Sequence, residues 1–352
     1  MLRQSPSSWP EIALKLAAAM PLERLHPSAL AWVRDGGLAS GRRWAAAFSG
    51  GADSLALLLL LWAHWPERRD RLVALHFNHR LRGRAAAADA AFCRRVCAGL
   101  GITLVAGSWE TAFKGASEAE ARTARFSFFQ RELARRRITA LWFGHQQDDI
   151  AETFFMRLAR GSGTAGLAAP RPVQKMPAGR VHLRPLLTLT KKQVMDSLRQ
   201  AGAVWREDAS NESGDYFRNR IRRDVLPAWR TAAEARNALA GAALSRELLE
   251  EDDVALEAWL DALAPLTASG QMDVRGLAGK PRALLRRALH RWLGAQRAPG
   301  DLSRQGFEVL LAAVTRGAAT RFSLGTSGFA VIRKGFLVFE KPPAFHRSRR
   351  RK

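Results

Sequence analysis

Arg43-Trp44-Ala45-Ala46-Ala47-Phe48-Ser49-Gly50-Gly51-Ala52-Asp53-Ser54 runs without a break into Leu55-Ala56-Leu57-Leu58-Leu59-Leu60-Leu61-Trp62. The pattern reads as a short buried strand, a tight turn and an apolar helix. Two adjacent glycines let a ligand approach the main chain closely and permit backbone conformations closed to other residues. The first helical turn carries free N–H groups and a partial positive charge, so an anion is favoured there. Ser49 and Ser54 add hydroxyl donors. Asp53 would repel a phosphate unless a cation intervened, and Mg²⁺ is commonly held by one or two carboxylates together with phosphate oxygens. No lysine follows the glycines, so the spacing is not that of the Gly-x-x-x-x-Gly-Lys-Ser/Thr loop. An N-capped turn before a core helix is the plainer alternative. The glycine pair, both serines and the carboxylate coincide at one strand-to-helix junction, which favours the phosphate turn.

Around this turn the chain alternates strand and helix. Strands are expected at Arg71–Phe77, Ile102–Ala106, Ile138–Phe143 and, after a Gly- and Pro-rich loop, Val181–Leu187. Helices are expected over Ala85–Leu100, Glu118–Arg136 and Asp148–Arg160. Such alternation predicts an α/β, doubly wound and mostly parallel sheet with sites at the carboxyl ends of its strands. After Trp229, Ala-rich amphipathic segments predict a smaller helical domain. Short alternating runs punctuated by Gly325, Gly328 and Gly335 end it as a β-hairpin or meander. The expected organisation is an unassigned leader over 1–40, a catalytic domain over 41–230, a helical domain with a β appendage over 231–345, and a basic tail over 346–352.

The 352 residues carry 56 Lys and Arg against 32 Asp and Glu, a formal net charge of +24. That excess calls for a polyanionic partner, nucleic acid or an anionic membrane. The longest apolar run, Leu55 to Ala63, is too short to span a bilayer. Glu11, Glu23 and Asp35 interrupt the first forty residues, which argues against a secretory signal. Nucleic acid is the better partner. The two cysteines, Cys93 and Cys97, stand four apart on one helical face, too few for a disulfide framework or zinc site, and a cytoplasmic location follows.

Four further stretches carry chemistry. In Gly144-His145-Gln146-Gln147-Asp148-Asp149-Ile150-Ala151-Glu152, Asp149 and Glu152 share a helical face. They suit a cationic substrate, a metal or acid–base work, or simply complement the helix dipole. His76-Phe77-Asn78-His79-Arg80-Leu81-Arg82-Gly83 could hold adenine or ribose, though a solvated loop reads similarly. Arg122 and Arg125 could clamp a phosphate or carbonyl. Arg218, Arg220 and Arg222 suit phosphate contacts, or a charged surface.

Ser-Gly-Gly-x-Asp-Ser at residues 49–54 resembles the pyrophosphate loop of the N-type ATP pyrophosphatases, the PP-loop superfamily. The ordered set is more specific. It runs from that loop through Asn-His-Arg-Leu-Arg at 78–82 and Glu-x-x-x-Arg near Arg125 to Gly-His-x-x-Asp-Asp-x-x-Glu-Thr at 144–153. Arg-Gly-Ser-Gly at 160–163, Arg-Pro-Leu-Leu at 184–187, Asp-x-Ser-Asn at 208–211 and Arg-Asn-x-Ile-Arg at 218–222 complete it. Over roughly Arg43–Trp229 this resembles the tRNA(Ile)-lysidine synthetase family. The resemblance implies a carbon–nitrogen ligase that uses ATP and Mg²⁺ to adenylate the wobble cytidine of the CAU-anticodon isoleucine tRNA. The ε-amine of free L-lysine then displaces AMP to leave lysidine. It implies that Ser49, Gly50, Gly51, Ala52, Asp53 and Ser54 bind ATP, with Asp53 on Mg²⁺. It implies that Asp53, Arg125 and His145 are catalytic, and that Asp149 and Glu152 hold the lysine ammonium.

Phe126, Asn78 and Gln146 stand where the family often has Tyr, Asp and His. The region after about Ala232 is expected to add tRNA affinity through basic segments near Arg286 and Arg347, without chemistry. A tRNA thiolase would need reactive or cluster-binding cysteines, for which Cys93 and Cys97 are poor candidates. A non-catalytic tRNA-binding protein would have no need of Asp53, Asp149 and Glu152 together.

Overall fold

The computed structural model describes residues 8–38, 42–80, 84–113, 115–207, 216–296 and 302–342. The chain forms two compact units, Met1–Glu250 and Glu251–Lys352.

In the first unit, strands β1 (Trp44–Ala47), β2 (Leu72–Asn78), β3 (Thr103–Ser108), β4 (Ala140–Trp142), β5 (Val173–Met176) and β6 (Arg180–Leu183) make one sheet of order β3-β2-β1-β4-β6-β5. All neighbours pair in parallel except β5, which runs antiparallel to β6 at the edge. The chain builds outward from β1 through β2 to β3, then returns to lay β4 on the other side of β1. The order therefore reverses between β1 and β4, and a crevice opens beyond their carboxyl ends. The α/β, mostly parallel sheet expected from the alternation is the one observed.

The helices are α1 (Trp9–Ala19), α2 (Pro27–Trp32), α3 (Ala52–His64), α4 (Arg84–Leu100), α5 (Glu118–Arg135), α6 (Gln147–Leu158), α7 (Thr164–Leu167), α8 (Lys191–Gln200), α9 (Phe217–Arg220) and α10 (Leu226–Ala232). Several begin where the side chains dictate. Ser8 with Glu11 and Ser117 with Glu120 form reciprocal capping boxes that satisfy N–H groups the helix itself cannot. α3 is apolar nearly all round, and Leu55 to Leu61 are buried accordingly.

The structure adds detail that the sequence expectation lacked. The leader is not a separate segment: Ile12, Leu16 and Met20 lie in the same core as α3 and the sheet. Trp32 packs edge-on against Trp142, with ring centroids 6.1 Å apart, and Trp142 lies 4.9 Å from Trp44. The Trp44 indole donates to the Gly37 carbonyl at 3.2 Å. The first compact unit runs on past 230 to Glu250, because Leu239 and Ala242 pack with Ile221 and Leu226. A cut near Ala232 would strip those side chains from that cluster. The strand expected over Val181–Leu187 stops at Leu183, where Pro185 opens a 3₁₀ turn. β5 was hidden in the Gly- and Pro-rich loop because an edge strand between Pro172 and Pro177 has no apolar alternation.

The helix α11 (Ala238–Leu263) runs through the divide. In the second unit α12 (Arg282–Ala295) and α13 (Arg304–Arg316) bury Leu289, Trp292, Leu310 and Leu311 against a sheet. That sheet consists of β7 (Met272–Asp273), β8 (Thr320–Ser323), β9 (Phe329–Arg333) and β10 (Phe336–Glu340), in the antiparallel order β7-β10-β9-β8. It is the expected meander with one short strand added. Arg282 and Arg286 both pair with Glu308, while Arg287 and Arg291 pair with Glu257. The basic segment near Arg286 is thus largely matched by acid within its own unit. The basic tail over 346–352, Arg347 included, lies outside the described residues.

Leu16→Ala should cost the first unit about 2–5 kcal/mol, the ordinary loss for a fully buried leucine. Urea unfolding of that variant checks the leader's place in the core, since a detached leader would leave the midpoint unchanged.

Candidate active site

The turn after β1 is held by its own side chains. The Ser49 and Ser54 hydroxyls lie 3.0 Å apart, the Ser49 N–H donates to Ser54 Oγ at 3.2 Å, and Ser54 Oγ donates to the Gly51 carbonyl at 3.0 Å. Gly50 takes a φ of +91°, where a side chain would be strained and would also press on Phe92 and Cys93. The Gly50 carbonyl accepts from the Arg206 N–H at 3.0 Å, and Arg206 Nε donates to Asp89 at 2.8 Å. The turn is therefore clamped from outside by a residue the sequence reading passed over. α3 starts at Ala52, so the N–H groups of its first turn point into the crevice without intrahelical partners.

β4 delivers the second half of the site. A Cβ placed on Gly144 would collide with the Asp53 backbone and crowd the Ser54 N–H. Glycine is required here by close approach, which presses the end of β4 onto the first turn of α3. α6 follows, capped by Gln146, whose N–H donates to Asp149 at 3.0 Å. Asp148 accepts from the Lys191 N–H at 2.8 Å and from Arg230.

Asp53 Oδ1 is buried and has no hydrogen-bond partner among the described residues. Burial, then the nearby Asp149 carboxylate, push its carboxyl up to about 7, against the pull of Lys191 and Arg222. Such an atom, set in a phosphate-shaped turn, has the chemistry of a cation ligand.

His145 accepts a hydrogen bond at Nδ1 from Arg184 Nε, at 3.1 Å. Its ring proton therefore sits on Nε2, which is left as a donor. Burial, followed by Arg184, Arg218, Arg125 and Arg122, drives its pKa well below the ordinary range, so the ring is neutral. Burial and neighbouring Arg122 also lower Arg125 and Arg184 to about 10. Arg184 is anchored by the Arg171 carbonyl at 2.7 Å and Gln174 at 3.1 Å. Arg184 was legible only as part of Arg-Pro-Leu-Leu, with no role attached.

The Asp149–Glu152 face is already occupied. Arg218 bridges Asp149 at 2.5 Å and Glu152 at 2.6 Å, and Arg222 grips Glu152 at 2.6 and 3.0 Å. The Glu152 side chain is 1% exposed. Burial opposes the charge on Arg218, yet the two carboxylates hold its guanidinium above the usual range. Arg218 and Arg222, expected on phosphates, instead neutralise the carboxylates expected to receive an ammonium.

The structure gathers Ser49 to Ser54, Arg125, His145, Asp149 and Glu152 around one crevice. It does not bring His76 to the surface of that crevice. His76 lies beneath the loop, with Nδ1 2.9 Å from the Phe48 carbonyl and 3.4 Å from Cys93 Sγ, and it works as core. Arg82 and Gly83, and Asp208, Ser210 and Asn211, lie outside the described residues. Burial pushes both thiols, Cys93 and Cys97, up to about 12. No described helix is long and apolar enough to cross a membrane.

A family model described as a PP-loop domain matches residues 23–229. The chain is 37% identical over 300 residues to a tRNA(Ile)-lysidine synthase of Symbiobacterium thermophilum, covering 81% of this chain and 60% of that protein. It is 36% identical over 293 residues to the tRNA(Ile)-lysidine synthase of Pseudomonas aeruginosa, covering 78% and 63%. The chain thus spans about three fifths of the length of those relatives. Among solved structures, a U34-tRNA thiolase from Methanococcus maripaludis, with its 4Fe-4S cluster, aligns with a TM-score of 0.52 at 20% identity. The alignment takes in 68% of this chain and 78% of that one, and is a likeness of fold. With the matched domain spanning both halves of the crevice and more than half of the chain, the chain belongs to the PP-loop domain family.

Proposed function

We propose that the chain is a tRNA(Ile)-lysidine synthase, acting in the cytoplasm on the isoleucine tRNA with a CAU anticodon. The reading rests on one observation above all. The Ser49–Ser54 turn and the His145–Glu152 helix start face one crevice, in a chain similar to synthases of that name over most of its length. The reaction is adenylation of the wobble cytidine by ATP, then displacement of AMP by the lysine ε-amine. The turn binds the ATP phosphates through backbone N–H groups and the two serine hydroxyls. Asp53 would hold Mg²⁺ through its unpartnered oxygen, and the ion, when bound, screens the triphosphate charge. Arg122, Arg125 and Arg184 line a desolvated region where developing negative charge is stabilised strongly. His145, neutral and donating from Nε2, supports the adenylated oxygen.

Lysine recognition needs an exchange of cations. Asp149 and Glu152 are matched by Arg218 and Arg222, so an ammonium takes the place of Arg218 on Asp149 while Arg222 stays on Glu152. The thiolase alternative is disfavoured by chemistry: iron–sulfur clusters take several cysteine thiolates, and this chain has two buried cysteines with raised pKa values. Incubation with ATP, Mg²⁺, labelled lysine and bacterial tRNA should place label in the tRNA, with release of AMP and pyrophosphate. Labelling that persists when the wobble cytidine is replaced by uridine would overturn the assignment.

Asp149→Asn should raise the lysine KM about thirtyfold or more and leave the ATP KM nearly unchanged, as for loss of one partner of a desolvated charge pair. Equal effects on both would point to a role other than ammonium binding. Glu152→Gln should behave differently, because it takes the buried carboxylate from Arg222 and leaves Arg218 with Asp149 alone. A stability loss of about 3–5 kcal/mol is expected in denaturant unfolding.

Asp53 yields a prediction in pH. Its folded pKa, about 7, lies above its ordinary 3.8. Between those values the folded chain keeps a proton that the unfolded chain has released, so this group makes stability fall as pH rises. Asp53→Asn removes that slope. The ligand-free variant should melt close to the parent near pH 4 and higher, on the order of 10 °C, at pH 8. ATP-dependent pyrophosphate release should be lost in the same protein. Parallel melting curves across that range would refute the carboxylate's raised pKa.

A further inference from the structure

A hollow of about 550 Å³ lies away from the crevice, lined by Arg43, Arg135, Arg136 and Arg137. Its position follows from the topology. Arg43 immediately precedes β1, and Arg137 sits three residues ahead of β4, which pairs with β1 from Trp44 opposite Ala140. Arg135 and Arg136 close α5, the helix that feeds β4. The four guanidiniums therefore converge at the amino-terminal edge of the sheet. The phosphate turn lies at the other edge, about 20 Å along the strand from Arg43 to Ser49. That separation exceeds the screening length of about 8 Å at physiological salt, so the two cationic regions act independently.

The charge in the hollow is not matched. Glu132 accepts from Arg136 Nε at 3.1 Å and lies 3.3 Å from Arg135 Nη2. One carboxylate thus serves two guanidiniums, while Arg43 and Arg137 are exposed, and among the described residues neither forms an ion pair. A helix carboxyl end favours a cation or two, which covers Arg135 and Arg136. It does not account for Arg43, which arrives from a different element. Arg137 follows the cap in the left-handed conformation that closes α5, with the Ile138 N–H donating to the Leu133 carbonyl at 2.9 Å, and its side chain is exposed. Four fork-shaped donors around one hollow form a receptor for phosphate oxygens.

We propose that Arg43, Arg135, Arg136 and Arg137 form a second phosphate-binding site at the amino-terminal edge of the sheet, separate from the ATP turn. The phosphates come from an RNA backbone or from a free anion such as pyrophosphate. The RNA source rests on the reading of this chain as a tRNA-modifying enzyme, and the free source does not.

The test uses the full chain with Arg43→Gln/Arg137→Gln, and with Arg43→Glu/Arg137→Glu as the stronger change. Both pairs lie on exposed side chains outside the crevice, so the thermal melting midpoint and the affinity for ATP should match the parent and certify folding. Filter binding of tRNA across a salt series should give a salt slope shallower by about 1.4–1.8, at 0.7–0.9 for each of two phosphates, with weaker binding at low salt. Calorimetry with inorganic pyrophosphate reads the free source, as two sites on the parent and one on the variant. A shallower slope with unchanged pyrophosphate stoichiometry assigns the site to RNA. A lost pyrophosphate site with an unchanged slope assigns it to the free anion. If neither moves, the proposal is overturned. A parent chain that fails to bind tRNA at all sinks the functional reading instead, and the pyrophosphate count then decides the site alone.

Discussion

The contact on which the site depends is the approach of Gly144 to the backbone of Asp53 and Ser54. It brings the carboxyl ends of β1 and β4 together where the strand order reverses, and it lets two loops far apart in sequence share one crevice. Beneath it, Trp44 and Trp142 pack against each other at a tilt from the same two strands, with Trp32 and Trp65 against them. Large aromatic rings at these positions set the spacing of the strands' supporting layer. The turn above can then be small, since its rigidity comes from the core below and from Arg206 outside.

Charge in the crevice is arranged around desolvation. Arg122, Arg125 and Arg184 crowd one another near a neutral His145, and each is pushed toward losing its proton. Asp53 is pushed the opposite way, toward holding one. Under the proposed function, a polyanion arriving with its own cation would relieve both strains. Arg218 and Arg222 balance Asp149 and Glu152 by contrast, and that pairing keeps buried carboxylates from standing alone. A site of this kind is tense where ligands enter and settled where the helix must hold.

Much of this was legible in the linear chain. The turn at residues 49–54, the parallel alternation, the acidic helix start and the terminal meander are local patterns, and local patterns survive in sequence. The misplaced features all depend on distant partners. The leader read as a helix over Trp9–Met20 without assignable chemistry, because Leu16 and Trp32 acquire meaning only against α3 and Trp142. The division within α11 is invisible in a helix of uniform composition, while Leu239 and Ala242 belong to one unit and Leu260 to the other. β5 escaped because an edge strand between prolines lacks the alternation that marks a strand.

The residue types, and therefore the candidate chemistry, were determined by the sequence alone: a glycine turn for phosphates, carboxylates three apart, arginines in number. Which arginine meets which carboxylate was decided only by tertiary structure. Arg218 and Arg222 could as well have faced phosphate, and His76 could have faced adenine. Their roles turn on distances between segments more than sixty residues apart, or on burial beneath a loop. A side chain's charge is written in the chain, but the field and solvent around it exist only once the chain has folded.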